Sequence, residues 1–221
     1  MQPPPTYVLI PGAASDSWYW HLVVPALRER GGDVVAVDLP CEDDSAGLAE
    51  YAAAVVEAIG ERRNLVLVAH SFGGFTAPLV CERMPVDMVV LVAGMIPAPG
   101  EPPGEWWTNN GYEDEVGADV SGFDTFFNDV APDLTAEARR RELGQSGTPM
   151  AAPWPLDGWP DVPTRFLLCS EDRFFPAPFM RRVVRERLGI EPDEIATGHL
   201  PMLARPEELA ARLAGYAVSG S

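Results

Sequence analysis

Residues 65–80 read LVLVAHSFGGFTAPLV. A run of apolar residues with strand character ends at His70-Ser71, a glycine pair follows at Gly73-Gly74, and the chain turns apolar again from Phe75. Ala69 stands two residues before the serine and Gly73 two after it. Small flanks of this kind let a strand and the following helix approach closely enough to lift a serine hydroxyl above a sheet edge on a strained turn, the steric requirement of a nucleophile elbow. The plainer reading is a serine that caps a helix, with glycines for a tight turn. The rest of the chain decides between them.

Outward from this stretch, short continuous apolar runs recur at Tyr7–Ile10, Val34–Val37, Leu65–Ala69, Met88–Val92 and Arg165–Cys169. Runs that are continuous rather than alternating indicate strands buried on both faces. Helical patterns lie between them: His21–Arg30 before Gly31-Gly32, Ala46–Ile59 before Gly60, Phe75–Met84, Phe179–Leu188 before Gly189, and Glu207–Tyr216. The glycines fall where left-handed C-terminal caps belong. Strand and helix in alternation predict an α/β fold, a mainly parallel sheet with helices on both faces. Residues 97–160 break the rhythm with Pro, Gly and Trp106, Trp107, Trp154 and Trp159, and are expected to form a cap or lid inserted into a core of 1–96 and 161–221. Residues 101–133, Asp119 among them, hold nine carboxylates and no arginine, which reads as a solvated face or as a lid whose field disfavours anions.

At 221 residues, 47% hydrophobic and 22% charged, the composition is that of one globular domain. A formal charge of −17 argues against nucleic acid and anionic membrane surfaces as partners. All 16 basic residues are arginine, so Schiff-base and pyridoxal-phosphate chemistry through lysine is excluded. Cys41, Cys81 and Cys169 are widely spaced, which indicates packed thiols rather than disulfides or a zinc site. Neither a signal-peptide pattern nor an apolar run of membrane-spanning length is visible, so a cytoplasmic location is the default expectation. No metal or cofactor is implied, and the expected partner is a small-molecule substrate, with the protein a monomer or homodimer.

A serine nucleophile needs a base, and the chain offers His21, His70 and His199. His70 adjoins Ser71 and should point to the opposite side of the strand, as a packing residue. His21 begins an amphipathic helix and reads as a surface or capping residue. His199, in Thr197-Gly198-His199-Leu200-Pro201, follows the short run Glu194–Ala196 and can hang over the sheet's C-terminal edge. A carboxylate must then orient the imidazole. Asp172 leaves the Arg165–Cys169 strand at its C-terminal end, with Glu171 the competing acid and Asp38 assigned to ordering a turn. The chain order Ser71, Asp172, His199 is the one expected for a serine on a strand-to-helix elbow above such a sheet. Oxyanion donors would be the Phe72 N–H, directly after the serine, and the Ala13 N–H in the loop after the first strand, aimed by Gly12.

Taken together, Gly12-Ala13 with Trp18-x-Trp20, Asp38-Leu39-Pro40, the elbow at Ser71, Asp172 with Pro176, and Gly198-His199-x-Pro201 before Arg205-Pro206-Glu207 resemble the α/β-hydrolase superfamily over nearly the whole chain. The short start, the Trp-x-Trp and the modest insertion are similar to the branch holding plant methylesterases and hydroxynitrile lyases. The resemblance implies a core of about six parallel strands, because the superfamily's usual first antiparallel hairpin is absent. Two departures stand out. Pro11 replaces the histidine common before Gly12, and Leu200 follows His199 where hydroxynitrile lyases place a lysine, which disfavours cyanohydrin cleavage.

The leading expectation is a Ser71-His199-Asp172 hydrolase of a small apolar ester, thioester or lactone, with Ala13 and Phe72 as oxyanion donors and Gly12, Met95, Ile96, Trp106 and Trp107 around the substrate. Carbon–carbon bond hydrolysis, or a lyase or cyclase step, by the same triad is one alternative, and a ligand-binding homologue without turnover is another. Haloalkane dehalogenation is excluded, because it needs a carboxylate where Ser71 stands.

Overall fold

A computed structural model describes residues 4–117 and 123–219. Asp119, counted above in the acidic run, lies outside the described residues. Six strands, β1 (Thr6–Ile10), β2 (Asp33–Ala36), β3 (Leu65–His70), β4 (Met88–Val92), β5 (Thr164–Cys169) and β6 (Asp193–Ile195), form one sheet in the order β2-β1-β3-β4-β5-β6. Every pairing is parallel. Crossovers are supplied by α1 (Val23–Glu29), α2 (Leu48–Ile59) and α3 (Gly73–Cys81).

The continuous apolar runs have a direct cause. Val8, Ile10, Leu65, Leu67, Val89 and Leu91 point into a buried cluster with Tyr51 and Val55 of α2 and Phe75 and Val80 of α3. Their neighbours Tyr7, Leu9, Val66, Val68, Val90 and Val92 point into a second cluster with Val23, Ala26 and Leu27 of α1. Alternate residues therefore feed opposite cores, and neither strand face is left to water. The order turns back at β1 and β3, so their C-terminal ends lie side by side with their loops diverging, where an open α/β sheet forms its binding crevice.

The segment expected as an insertion lies within the long connection from β4 to β5. It carries the short helices α4 (Trp106–Asn109), α5 (Tyr112–Val116), α6 (Phe123–Phe126), α7 (Pro132–Arg140) and α8 (Thr148–Ala151). Its side chains join the cores beneath: Trp106, Tyr112 and Trp154 belong to the first cluster, and Phe127, Val130 and Ala138 to the second. The Trp154 indole donates to the Phe75 carbonyl at 3.2 Å. The chain closes with α9 (Ala177–Leu188), which joins the first cluster, then α10 (Pro201–Ala204) and α11 (Pro206–Ser219), which packs beside α1.

The acidic run is more than a solvated face. Glu101 is buried against Arg187 of α9 at 2.5 Å, Glu115 meets Arg182 of the same helix at 2.6 Å, and Asp124 meets Arg139 at 2.9 Å. Arginines from outside residues 101–133 thus partner acids that have none nearby in sequence.

Candidate active site

β3 ends at His70, and Ser71 takes a left-handed conformation, with φ +49°. A non-glycine residue held there costs on the order of 1–3 kcal/mol and persists only where its surroundings enforce it. Here the Ser71 carbonyl accepts from the N–H groups of Gly74 at 3.1 Å and Met95 at 2.9 Å. The two glycines are steric necessities. A Cβ on Gly73 would sit 2.8 Å from the Pro11 carbonyl oxygen, and one on Gly74 only 2.0 Å from that of Met95. The turn is therefore locked between the loops after β1 and β4.

The loops after β5 and β6 bring the other two groups. His199 places Nε2 3.1 Å from Ser71 Oγ and Nδ1 2.7 Å from Asp172 Oδ2. The other Asp172 oxygen, Oδ1, accepts from the N–H groups of Phe174 at 2.8 Å and Phe175 at 2.9 Å. Because the carboxylate can only accept, Nδ1 carries the proton and Nε2 is left to accept from the serine hydroxyl. All three side chains are buried, Asp172 and His199 almost completely. The competing acid Glu171 is exposed, and Asp38 accepts the Ser17 N–H at 2.7 Å, ordering the turn after β1.

His70 does more than pack. Its Nε2 lies 2.9 Å from the His199 carbonyl oxygen, which fixes Nε2 as the protonated nitrogen. Burial holds its pKa well below the ordinary histidine value and the neighbouring His199 adds to the shift, so the ring is neutral beside His199. His70 is buried as expected of a packing residue, and it also ties the loop that carries His199 and lies among the residues lining the cavity over Ser71. His21 is exposed and lies 2.7 Å from the Trp18 carbonyl through Nδ1.

A cavity of about 290 Å³ opens above Ser71 and His199. Gly12, Met95 and Trp107, expected around the substrate, line it together with Ala13 and Phe72, expected as oxyanion donors. Ile96 and Trp106 do not. Both are fully buried, and the Trp106 indole donates to the Ile96 carbonyl at 2.9 Å, so they form the layer beneath the wall. The sequence reading missed Tyr19, Phe126, Phe127, Met150, Phe174 and Leu200. Phe174 and Leu200 could have been found, since they follow Asp172 and His199 on loops that face the same space. Phe126 and Phe174 stand with ring centroids 4.3 Å apart and within 5.4 Å of the His199 ring, which shields the imidazole from water. Among the described lining residues, Glu142 is the one acidic or basic side chain besides the histidines.

Two long-range bonds frame this cavity. Gln145 accepts the Ala14 N–H at 3.0 Å and donates to the Tyr51 hydroxyl at 3.1 Å, which supports the loop after β1 where Ala14 has φ +51°. A wider cleft of about 650 Å³ lies beside it, lined by Asp16, Trp18, His21, Asp38 and Arg141 among others; neither Ser71 nor His199 is among its lining residues. Among the described residues no group of His, Cys, Asp and Glu is arranged to hold a metal ion, and no helix is long and apolar enough to cross a membrane.

The sequence profile of the alpha/beta hydrolase family matches residues 7–212. The chain belongs to the alpha/beta hydrolase family. Among its curated relatives in the family are norfluorocurarine synthase 1 from Strychnos sp, 25% identical over 246 residues covering 92% of this chain and 91% of that one. Methylesterase 1 of Arabidopsis thaliana is 25% identical over 252 residues, 92% of each chain. The crystal structure of polyneuridine aldehyde esterase superposes with a TM-score of 0.84 at 22% identity, over 97% of this chain and 99% of that one. Six parallel strands flanked by helices are thus the fold of this family member, as the resemblance implied.

Proposed function

We propose that this hydrolase cleaves a small, largely apolar carboxylic ester through an acyl-enzyme. Ser71 attacks the carbonyl, His199 Nε2 takes its proton and passes it to the leaving alcohol, and Asp172 keeps His199 in the required tautomer and stabilises the imidazolium. The N–H groups of Ala13 and Phe72 receive the oxyanion, Phe72 standing at the N-terminal end of α3, where the helix dipole favours negative charge. Water then repeats the sequence on the acyl-enzyme. Residues 97–160 act as the cap that closes the apolar side of the cavity. The observation that carries this reading is the unbroken hydrogen-bond line from Asp172 through His199 to Ser71, with the serine on a left-handed turn at the base of an apolar cavity. The esterases among the relatives favour an ester as substrate.

The test is labelling with a fluorophosphonate, read by intact mass, on wild type, Ser71→Ala and His199→Ala, followed by turnover of p-nitrophenyl esters of increasing acyl length. Labelling that vanishes in both variants supports the assignment. Labelling, or ester turnover at the wild-type rate, in Ser71→Ala would show that another residue is the nucleophile. A synthase among the relatives favours a second reading, a lyase or cyclase step by the same three residues. Product analysis on candidate carbon acids separates it from ester hydrolysis.

A further inference from the structure

The hydrogen bonds that hold His199 extend beyond Asp172. The two residues before it, Thr197 and Gly198, both bond to one carboxylate oxygen: the Thr197 hydroxyl donates to Asp129 Oδ2 at 2.6 Å and the Gly198 N–H donates to the same atom at 2.7 Å. Thr197 is fully buried. Gly198 packs directly on this group, since a Cβ there would fall 2.5 Å from Asp129 Oδ1 and 2.6 Å from Asn128 Oδ1. Asp129 does not belong to the sheet or its crossovers. It lies between α6 and α7, in the connection from β4 to β5.

The loop needs this support. It leaves β6, a three-residue strand at the sheet's edge that pairs with β5 alone. His199 is held on its C-terminal side by the bond from His70 to its carbonyl and through its ring by Asp172. On its N-terminal side the pair of bonds to Asp129 fixes the backbone, and bonds to a carboxylate are the short, strong kind.

We propose that Asp129 is a positioning residue for the base. Its carboxylate fixes Thr197-Gly198 and so aims His199 Nε2 at Ser71, which makes the β4–β5 connection part of the catalytic framework as well as a wall of the cavity. The inference rests on the Ser71-His199-Asp172 reading above. It requires an acceptor at Oδ2, not a charge. An amide oxygen can take both bonds, and the amide NH₂ would then replace Asp129 Oδ1, which, like Asn128 Oδ1, is buried with no hydrogen-bond partner among the described residues.

The experiment measures the rate of fluorophosphonate labelling of Ser71, with kcat and KM on p-nitrophenyl butyrate, for wild type, Asp129→Ala, Asp129→Asn and Thr197→Val, each checked for folding by circular dichroism. A reacting group displaced by 1 Å can cost on the order of 100-fold, so Asp129→Ala should label about 10- to 100-fold more slowly and lose kcat by a similar factor with KM nearly unchanged. Asp129→Asn should recover most of the rate, and Thr197→Val should fall between. A folded Asp129→Ala that labels at the wild-type rate overturns the inference, as does an Asp129→Asn as slow as Asp129→Ala. If Asp129→Ala does not fold, Thr197→Val decides: slower labelling supports the inference, and an unchanged rate overturns it. A folded wild type that is never labelled brings down the underlying hydrolase reading and this inference with it, whereas a labelled wild type beside an equally fast Asp129→Ala brings down this inference alone.

Discussion

Replacing Asp172 with asparagine should stop catalysis by reversing a tautomer while leaving the fold in place. The carboxylate accepts three hydrogen bonds, two from the N–H groups of Phe174 and Phe175 on Oδ1 and one from His199 Nδ1 on Oδ2. An asparagine must put its oxygen on one side and its NH₂ on the other. Two backbone donors at 2.8 and 2.9 Å demand the oxygen at the Oδ1 position, so the NH₂ is driven to the Oδ2 position, facing Nδ1. His199 Nδ1 must then accept, its proton moves to Nε2, and Nε2–H points at Ser71 Oγ, from which it can no longer take a proton. A tautomer error of this kind is worth about 10⁴ in kcat, or about 5.4 kcal/mol of transition-state stabilisation. Because the bonds to Phe174 and Phe175 survive, the melting temperature should move by only a few degrees. The assay is kcat/KM on the best p-nitrophenyl ester, with ¹⁵N NMR of the histidine rings to read the tautomer. A folded Asp172→Asn within tenfold of wild type, or one whose His199 still carries its proton on Nδ1, would refute the reasoning.

Other perturbations probe the frame around the site. Glu101 and Arg187 are 3% and 13% exposed, and Glu101 also accepts from Asn109 and the Ala98 N–H, so Glu101→Gln should cost about 3 kcal/mol at pH 7 by thermal or urea unfolding. Burial alone would raise the Glu101 pKa, but the Arg187 and Asn109 hydrogen bonds, the guanidinium charge and the Ala98 N–H hold it below its ordinary 4.5. The wild-type advantage is therefore complete above pH 4.5 and should shrink as pH falls through the lowered value; a gap that is constant down to acid unfolding would contradict this. Trp107 lines the cavity with its ring against Trp106, Tyr112 and Phe174, so Trp107→Leu should lose about 2 kcal/mol of stability and move the acyl-length optimum to longer chains, whereas an unchanged optimum would place the acyl group elsewhere. Gly74→Ala puts a methyl 2.0 Å from the Met95 carbonyl oxygen, and should cost at least about 1–3 kcal/mol and most of the labelling rate, because relief of the clash moves the Ser71 turn.

The sheet was legible because its physics is local. A strand buried on both faces leaves almost no place for a polar residue, and β1, β3 and β4, buried throughout, announce themselves in that way; β2 and β5 show shorter apolar runs beside the exposed Asp33 and Arg165, while β6, three residues at an edge with Glu194 exposed, is visible only as a short run before His199. Ser71, Asp172 and His199 were legible for a related reason: each sits just beyond a strand's C-terminal end, so locating the strands locates all three. The cavity wall has no such signature. Trp106 and Trp107 are adjacent and chemically identical, yet one is fully buried beneath the wall and the other lines the cavity, because α4 is a single turn whose two faces meet different neighbours.

What most escaped the sequence is the set of polar ties that cross it. Alternation along β3 places His70 on the opposite side from Ser71, but nothing in one sequence shows that the loop carrying His199 lies across that side, 129 residues later. Asp129 and Gly198 are 69 residues apart, and Gln145 and Ala14 are 131 apart. Neither pair shares a period or a motif. The acidic run illustrates the cost of reading such residues by composition alone: with no arginine in residues 101–133 they look like a solvated face, and the counter-charges of Glu101 and Glu115 come from α9, on the far side of β5 in sequence. A carboxylate such as Asp129, placed in the connection but bonded to the hydroxyl and N–H that precede His199, belongs energetically to the site and only by sequence position to the acidic run. A segment outside the sheet and its crossovers is therefore tied here to the loop that carries His199. A change of loop length between α6 and α7 should for that reason lower the rate of serine labelling before it lowers the melting temperature.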